Sequence, residues 1–378
     1  MTPAQVLIWT QHLLGTGHLH RSLRLASAIA DQGPHVTVMS GGPALPVEPC
    51  HNVAVEQLPA LQTSDTAFSE LLDTTGHPAS EAIWQERATR IAALLNKRPA
   101  DLIITEMFPF GRKAFRREIE AMLTVARRIR PNVRVLASVR DILVSKNDVE
   151  RYRWCVEWIH AHYDDVLVHG DPEFIAFAES FPLSGEIADR LFHTGYIAQP
   201  MDRQPNGRKG VIVSAGGGAV GASLIETALG HAMDTGPVNG PWTLIAGHRV
   251  EPQRLDGWRR QAPAHVTIKR HVQDLPKRIG RAVLSISQAG YNTIAETISL
   301  RTPMLLVPFE TESEDEQLRR AMAVERAGFG VVLREADLTA TTFAEAVERA
   351  RRLRPDSPPP RTDGAQRGAR RIMEWLAR

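Results

Sequence analysis

Gly210-Val211-Ile212-Val213-Ser214-Ala215-Gly216-Gly217-Gly218 decides the fold. Three consecutive apolar residues with no polar alternation, bounded by glycine, read as a short strand buried on both faces. The glycines that follow suit a tight turn into a helix. Outward from this unit the same rhythm recurs downstream at residues 242–246, 266–269, 282–286, 303–307 and 330–333. Upstream it recurs as strands at 6–9, 35–39, 101–105, 133–138 and 165–169, with amphipathic helices at 19–31, 113–130 and 149–162 between them. Apolar strands spaced by helices predict α/β architecture with parallel, doubly wound sheets. The rhythm breaks at 196–209, where Pro200, Pro205, Asn206 and Gly207 indicate a linker. Two Rossmann-like domains facing a cleft are expected: residues 1–198 and 199–362, with a final amphipathic helix at 363–378 returning to the first.

The 378-residue length suits two domains, and a 43% hydrophobic content suffices for their cores. Lys plus Arg number 45 against 43 Asp plus Glu, so net charge gives no general pull toward nucleic acid or anionic lipid. Apolar runs such as Met304-Leu305-Leu306-Val307 fall far short of a bilayer span. The first ten residues carry neither a basic n-region nor a small-residue cleavage site, and a cytoplasmic location is expected. Cys50 and Cys155 form no disulfide framework or zinc set.

Three glycine-bearing segments can carry chemistry. Gly15-Thr16-Gly17-His18 lies between the first strand and first helix, where free amides favour an anion. His20 occupies the third glycine position of a Rossmann fingerprint, so nicotinamide binding is not indicated. Gly216 and Gly217 can cradle phosphate oxygens, but no P-loop lysine follows. Ser287-Gln288-Ala289-Gly290-Tyr291-Asn292-Thr293-Ile294-Ala295-Glu296 is the most specific. Gly290 opens a helix whose first amides, on Tyr291, Asn292 and Thr293, can hold a diphosphate, with Glu296 placed to accept both ribose hydroxyls. The acidic run that follows ends in Glu316 and Gln317, expected near a sugar; most of its other acids are expected to be solvated. In the first half, residues 105–112 and 138–141 end strands at the presumed cleft and supply Glu106 and Asp141. The basic run Arg112, Lys113, Arg116, Arg117 beside Phe108, Phe110 and Phe115 suggests a peripheral membrane contact, or the solvated face of a helix.

On these motifs the chain resembles the MurG-like, family 28 glycosyltransferases of GT-B fold, above all over residues 287–329 and more loosely over 15–33. The resemblance implies a C-terminal domain that binds a nucleotide sugar, UDP-linked, and an N-terminal domain that binds a small-molecule or lipid-linked acceptor. It implies that His271 and Val272 grip the base through their backbone, and that Glu316 and Gln317 contact the donor sugar. The first glycine loop has one glycine fewer than the family pattern, and Phe108-Pro109-Phe110 replaces its acceptor-side glycines. The acceptor hydroxyl needs a base as it attacks the anomeric carbon. His18 is the candidate, with Glu106 and Asp141 in reserve. No Asp-X-Asp motif appears, so neither a metal nor another cofactor is expected. A sugar-nucleotide 2-epimerase of the same fold and a non-catalytic sugar-nucleotide sensor are the alternatives.

Overall fold

A computed structural model describes residues 3–13, 15–45, 51–63, 70–144, 148–199, 207–216, 221–237, 240–247, 250–311 and 314–378. Gly217 lies outside them. The first domain runs β1 (Gln5–Thr10), α1 (Gly17–Ala30), β2 (His35–Ser40), β3 (Val53–Gln57), α2 (Glu81–Lys97), β4 (Leu102–Glu106), α3 (Arg116–Ile129), β5 (Arg134–Arg140), α4 (Val149–His162), β6 (Asp165–His169) and β7 (Leu191–His193). Its parallel sheet has the order β3-β2-β1-β4-β5-β6-β7. The second domain follows as β8 (Val211–Ser214), α5 (Ala222–Thr235), β9 (Trp242–Ile245), α6 (Pro252–Gln261), β10 (Val266–Lys269), α7 (Leu275–Arg281), β11 (Leu284–Ser287), α8 (Tyr291–Ser299), β12 (Met304–Leu306), α9 (Glu316–Arg326), β13 (Gly330–Val332) and α10 (Ala340–Arg352). Its parallel sheet has the order β10-β9-β8-β11-β12-β13.

In each sheet the chain reverses its direction of travel once, between β1 and β4 and between β8 and β11. Such switch points leave a crevice beyond the strands' carboxyl ends, where open α/β sheets take ligands. His18 follows β1 and Glu106 ends β4; Gly216 follows β8 and Gly290 follows β11. The predicted motifs therefore sit at the two crevices. Helix α11 (Gly364–Leu376) returns to the first domain, where Ala365, Ala369 and Ile372 share a buried core with Leu25 and Ile29 of α1.

Three expectations are corrected. Residues 196–198 do not behave as linker: Tyr196 and Ile197 are fully buried, and Tyr196 exchanges backbone hydrogen bonds with Arg361 and Gly364 at the base of α11. Phe108 and Phe110 do not face the cleft. Phe108 packs edge-on against Trp154 and Trp158, and Phe110 against Phe177 and Phe181. With Phe115 also buried, the aromatic half of the expected membrane-contact surface is core. Of its basic residues, Lys113 lies over the indole of Trp154 and Arg116 over that of Trp158. Among the described residues no helix is long and apolar enough to cross a membrane. Unpredicted are β3, α2 and β7; β3 is a half-exposed edge strand and so lacks the apolar run that betrays the central ones.

Candidate active site

The first crevice is built around a buried carboxylate. Strand β4 carries Glu106 to its carboxyl end, where 1% of the residue is exposed. Helix α1 begins at Gly17 and brings His18 and Arg21, three residues apart and so on one face, over it. His18 Nδ1 lies 3.1 Å from Glu106 Oε1, and Arg21 donates to the same oxygen. Ser138 at the end of β5 donates to the other. Burial pushes Glu106 up, but Arg21 and His18 hold it well below the usual carboxylate range. Both oxygens are occupied, so Glu106 orients His18 rather than standing in reserve as a base. Burial pushes His18 down to about 3, so its ring is neutral at ordinary pH. Nε2 has no hydrogen-bond partner among the described residues.

Asp141 belongs to a joint. Arg320 of α9 donates to both of its oxygens, Nη2 to Oδ1 at 2.8 Å and Nε to Oδ2 at 2.9 Å, and the Tyr196 hydroxyl donates to Oδ2 at 2.8 Å. Both ionic side chains are fully buried. Burial pushes Asp141 up, yet the Arg320 guanidinium wins and holds it below its ordinary value. A carboxylate so held cannot accept a substrate proton, which corrects its place among the candidate bases.

Across the cleft, α8 begins where the glycine predicts, and Gly290 gives its first turn no side-chain cap. Asn292 reaches over and donates to the Gly17 carbonyl at 3.2 Å, so the starts of α1 and α8 meet. A Cβ on Gly17 would stand 3.0 Å from that Asn292 amide, which would have to give by a few tenths of an ångström. Gly216 does need glycine: its φ is +71°, in the left-handed region. Tyr291 points into the joint instead of the cleft. Its hydroxyl donates to the His169 carbonyl at 2.9 Å and accepts from the Ile197 amide at 3.0 Å. Only its backbone amide remains for a ligand.

Glu296 is 5% exposed and paired with Arg24 of α1. Burial raises its carboxyl, and Arg24 offsets only part of that. Arg24 Nη1, Asn292 Oδ1, Arg21 Nε and Ser287 Oγ are buried without hydrogen-bond partners among the described residues. Orphaned polar atoms gathered along one cleft are what a polar ligand would satisfy. Glu316 opens α9 and accepts from Arg140 of β5 at 2.8 Å, while the Gln317 side chain accepts from the Phe309 amide at 3.3 Å. Of the other acids, Glu310 pairs with Arg334 and Asp315 with Arg319; Glu312 lies outside the described residues. His271 and Val272 sit in the loop between β10 and α7.

Arg21, Arg24, Ser138, His169, Tyr196 and Arg320 are the site residues that the sequence reading did not single out. Arg21 and Arg24 follow His18 at spacings of three and six, a helical face that could have been read. For Arg320, a mid-helix arginine on α9, nothing local marks its burial.

Residues 213–374 match the glycosyltransferase family 28 C-terminal domain. The UDP-N-acetylglucosamine–N-acetylmuramyl-(pentapeptide) pyrophosphoryl-undecaprenol N-acetylglucosamine transferase of Thermotoga sp. strain RQ2 is 25% identical over 178 residues. That match covers 47% of this chain and 50% of the relative, so the chain spans about half the length of the curated relatives it matches. Among solved structures, Acinetobacter baumannii MurG superposes with a TM-score of 0.56 at 16% identity, over 98% of this chain and 100% of the other. A UDP-glucosyltransferase from Polygonum tinctorium superposes with a TM-score of 0.64 at 12% identity, over 100% and 99%. These likenesses establish the GT-B fold over the whole chain. Within that fold, residues 213–374 are similar to the C-terminal domain of the family 28 glycosyltransferases.

Proposed function

We propose that this protein transfers a hexose-type sugar from a UDP-linked donor to an acceptor hydroxyl without a bound metal, with His18 as the base. The observation that carries the reading is the His18–Glu106 unit, set at the crevice of the first sheet and directly facing the start of α8. A neutral ring whose Nδ1–H donates to Glu106 leaves the Nε2 lone pair bare toward the cleft, and the imidazolium that forms finds a carboxylate behind it. The uncapped amides of α8 and the Gly216 turn lie where the charge of the departing nucleoside diphosphate would develop, in the manner of an oxyanion hole. Glu296 accepts the ribose hydroxyls once Arg24 is displaced. Glu316 and Gln317 lie nearest the sugar, and the backbone of His271 and Val272 grips the base. In this reading the acceptor, small-molecule or lipid-linked, enters over the first domain.

The test is release of nucleoside diphosphate from UDP-, GDP-, dTDP- and ADP-sugars, with and without an acceptor set. Turnover with one UDP-sugar, dependent on an acceptor, is expected. His18→Ala should lower the rate by about 10²–10⁴-fold and leave UDP affinity within a few-fold. Inversion of the donor sugar at C2 without an acceptor would replace the reading with the epimerase. Near-normal turnover in His18→Ala would remove the base.

A further inference from the structure

We propose that Ser138 of β5 and His169 of β6 are positioning residues that fix the tautomer of His18 by holding Glu106 from behind. The inference rests on the reading of His18 as the base and names what keeps that base in its working form.

His18 Nδ1 lies 3.1 Å from Glu106 Oε1 and also 3.1 Å from Arg21 Nη2. The two neighbours demand opposite protonation. Toward Glu106, Nδ1 must carry its hydrogen, and Nε2 is then a bare acceptor open to the cleft. Toward Arg21, Nδ1 must be bare, and Nε2 then carries the hydrogen and cannot take a proton. The orientation of Glu106 therefore decides whether His18 is a base.

That orientation is set on the far side of the carboxylate. Ser138 Oγ donates to Glu106 Oε2 and stands 2.9 Å from His169 Nε2. A serine has one hydroxyl hydrogen. With it committed to Glu106, the contact to His169 requires an Nε2–H on the histidine. Burial pushes His169 down to about 3, so the ring is neutral and its Nδ1 is bare. Nδ1 lies 2.9 Å from the Thr194 hydroxyl, for whose one hydrogen the Gly195 carbonyl at 2.7 Å and the Val168 carbonyl at 3.3 Å compete. The hydrogens thus run in one direction, from His169 through Ser138 to Glu106. Glu106, Ser138, His169 and Thr194 are all at least 98% buried, so water cannot substitute for a missing link without a cavity. The charged groups facing His18 are Glu106, Arg21 of its own helix and Arg112 beyond β4; Glu106 and Arg21 also face His169. Loss of Ser138 frees Oε2, the carboxylate turns, and Arg21 competes for Nδ1.

The experiment is ¹⁵N NMR of the histidine-labelled full chain, with the His18 signals identified by their loss in His18→Gln. Wild type should show an Nδ1–H, bare-Nε2 ring between pH 5 and 8. Ser138→Ala and His169→Leu should shift His18 toward the Nε2–H tautomer. Ser138→Thr, which keeps the hydroxyl, and His169→Gln, which keeps an N–H donor, should restore the wild-type signature. In turnover, Ser138→Ala should lower kcat about tenfold or more with the donor KM unchanged. A wild-type His18 carrying Nε2–H, or a tautomer indifferent to both disruptive substitutions, overturns the inference. If Ser138→Ala does not fold, the His169→Leu and His169→Gln pair decides. A responsive tautomer in a protein that binds no nucleotide would sink the proposed function and leave the relay standing. Normal sugar transfer with an indifferent tautomer would sink the relay alone.

Discussion

Of the ion pairs that cross between the domains, Asp141–Arg320 and Arg24–Glu296 are built differently. Asp141–Arg320 is bidentate, fully buried and completed by the Tyr196 hydroxyl and the Ala289 carbonyl. Arg24–Glu296 has an arginine side chain 22% exposed, one of whose nitrogens, Nη1, has no hydrogen-bond partner among the described residues. In the first pair each charge is matched, and burial of both is compensated by geometry. In the second the carboxylate is raised by burial that its partner does not repay. The first pair is a joint. The second has the character of a placeholder, a contact a ligand can improve upon.

Substitution of Asp141 by Asn should break the joint and leave Arg320 buried without its counter-charge, at a cost of about 3–5 kcal/mol. Urea denaturation of the full chain reads this. A loss below about 1 kcal/mol would mean that the joint is no joint.

Glu296→Ala should act on the ligand instead. Donor binding should weaken by about 2–3 kcal/mol, roughly 30- to 150-fold, because two charge-assisted bonds to the ribose are lost. Calorimetric titration of UDP against its 2′,3′-dideoxy analogue checks the cause: wild type should prefer the ribose form and the mutant should not. Denaturation should show little change, since a buried, raised carboxylate is removed.

Acid should separate the pairs without mutation. The folded-state pKa of Glu296 is raised above 4.5, so it takes up its proton before the pH falls that far, and the Arg24 contact weakens first. That of Asp141 is depressed below 3.8, so its contribution to stability is complete above that value and lost only below it. UDP affinity should therefore fall, on the order of tenfold, on the way down to about pH 4.5, while Asp141 and Arg320 stay paired. His169, neutral when folded and ordinary when unfolded, erodes global stability over the same range, by about 1.4 kcal/mol per pH unit below 6.5. A constant UDP affinity across that range would contradict the placeholder.

The smallest effect carries the sharpest sign. Arg24→Ala at pH 8 should tighten UDP binding by at most about fivefold, about 0.2–1 kcal/mol, because no ion pair has to open first. Glu296→Ala moves affinity in the other direction. Weaker binding in Arg24→Ala would make Arg24 a ligand contact and erase the contrast between the pairs.

Much of the frame was legible. The helix at 149–162, the strand at 165–169 and the start of α8 after Gly290 fall where periodicity and glycine place them. These elements announce themselves because each buries a regular apolar face or needs a turn residue at a fixed place. His18 and Glu106 were each read as candidates, yet their division of labour was not, since a carboxylate at a strand end looks alike whether free or held. Residues 196–198 were misread because prolines and glycines further along outweighed three residues whose burial depends on α11, returning from more than 160 positions away.

The sequence by itself determined most of the strands and helices along the chain, the glycine turns, and His18, Glu106 and Gly290 as residues at the crevices. These follow from the repeat of apolar residues and from backbone geometry, which are local. Only the tertiary structure decided the pairings: His18 with Glu106 across 88 positions, Asp141 with Arg320 across 179, Arg24 with Glu296 across 272. A charged side chain carries no periodic mark of its partner. Its partner is chosen when folding removes water and leaves each buried charge to the nearest group that can satisfy it.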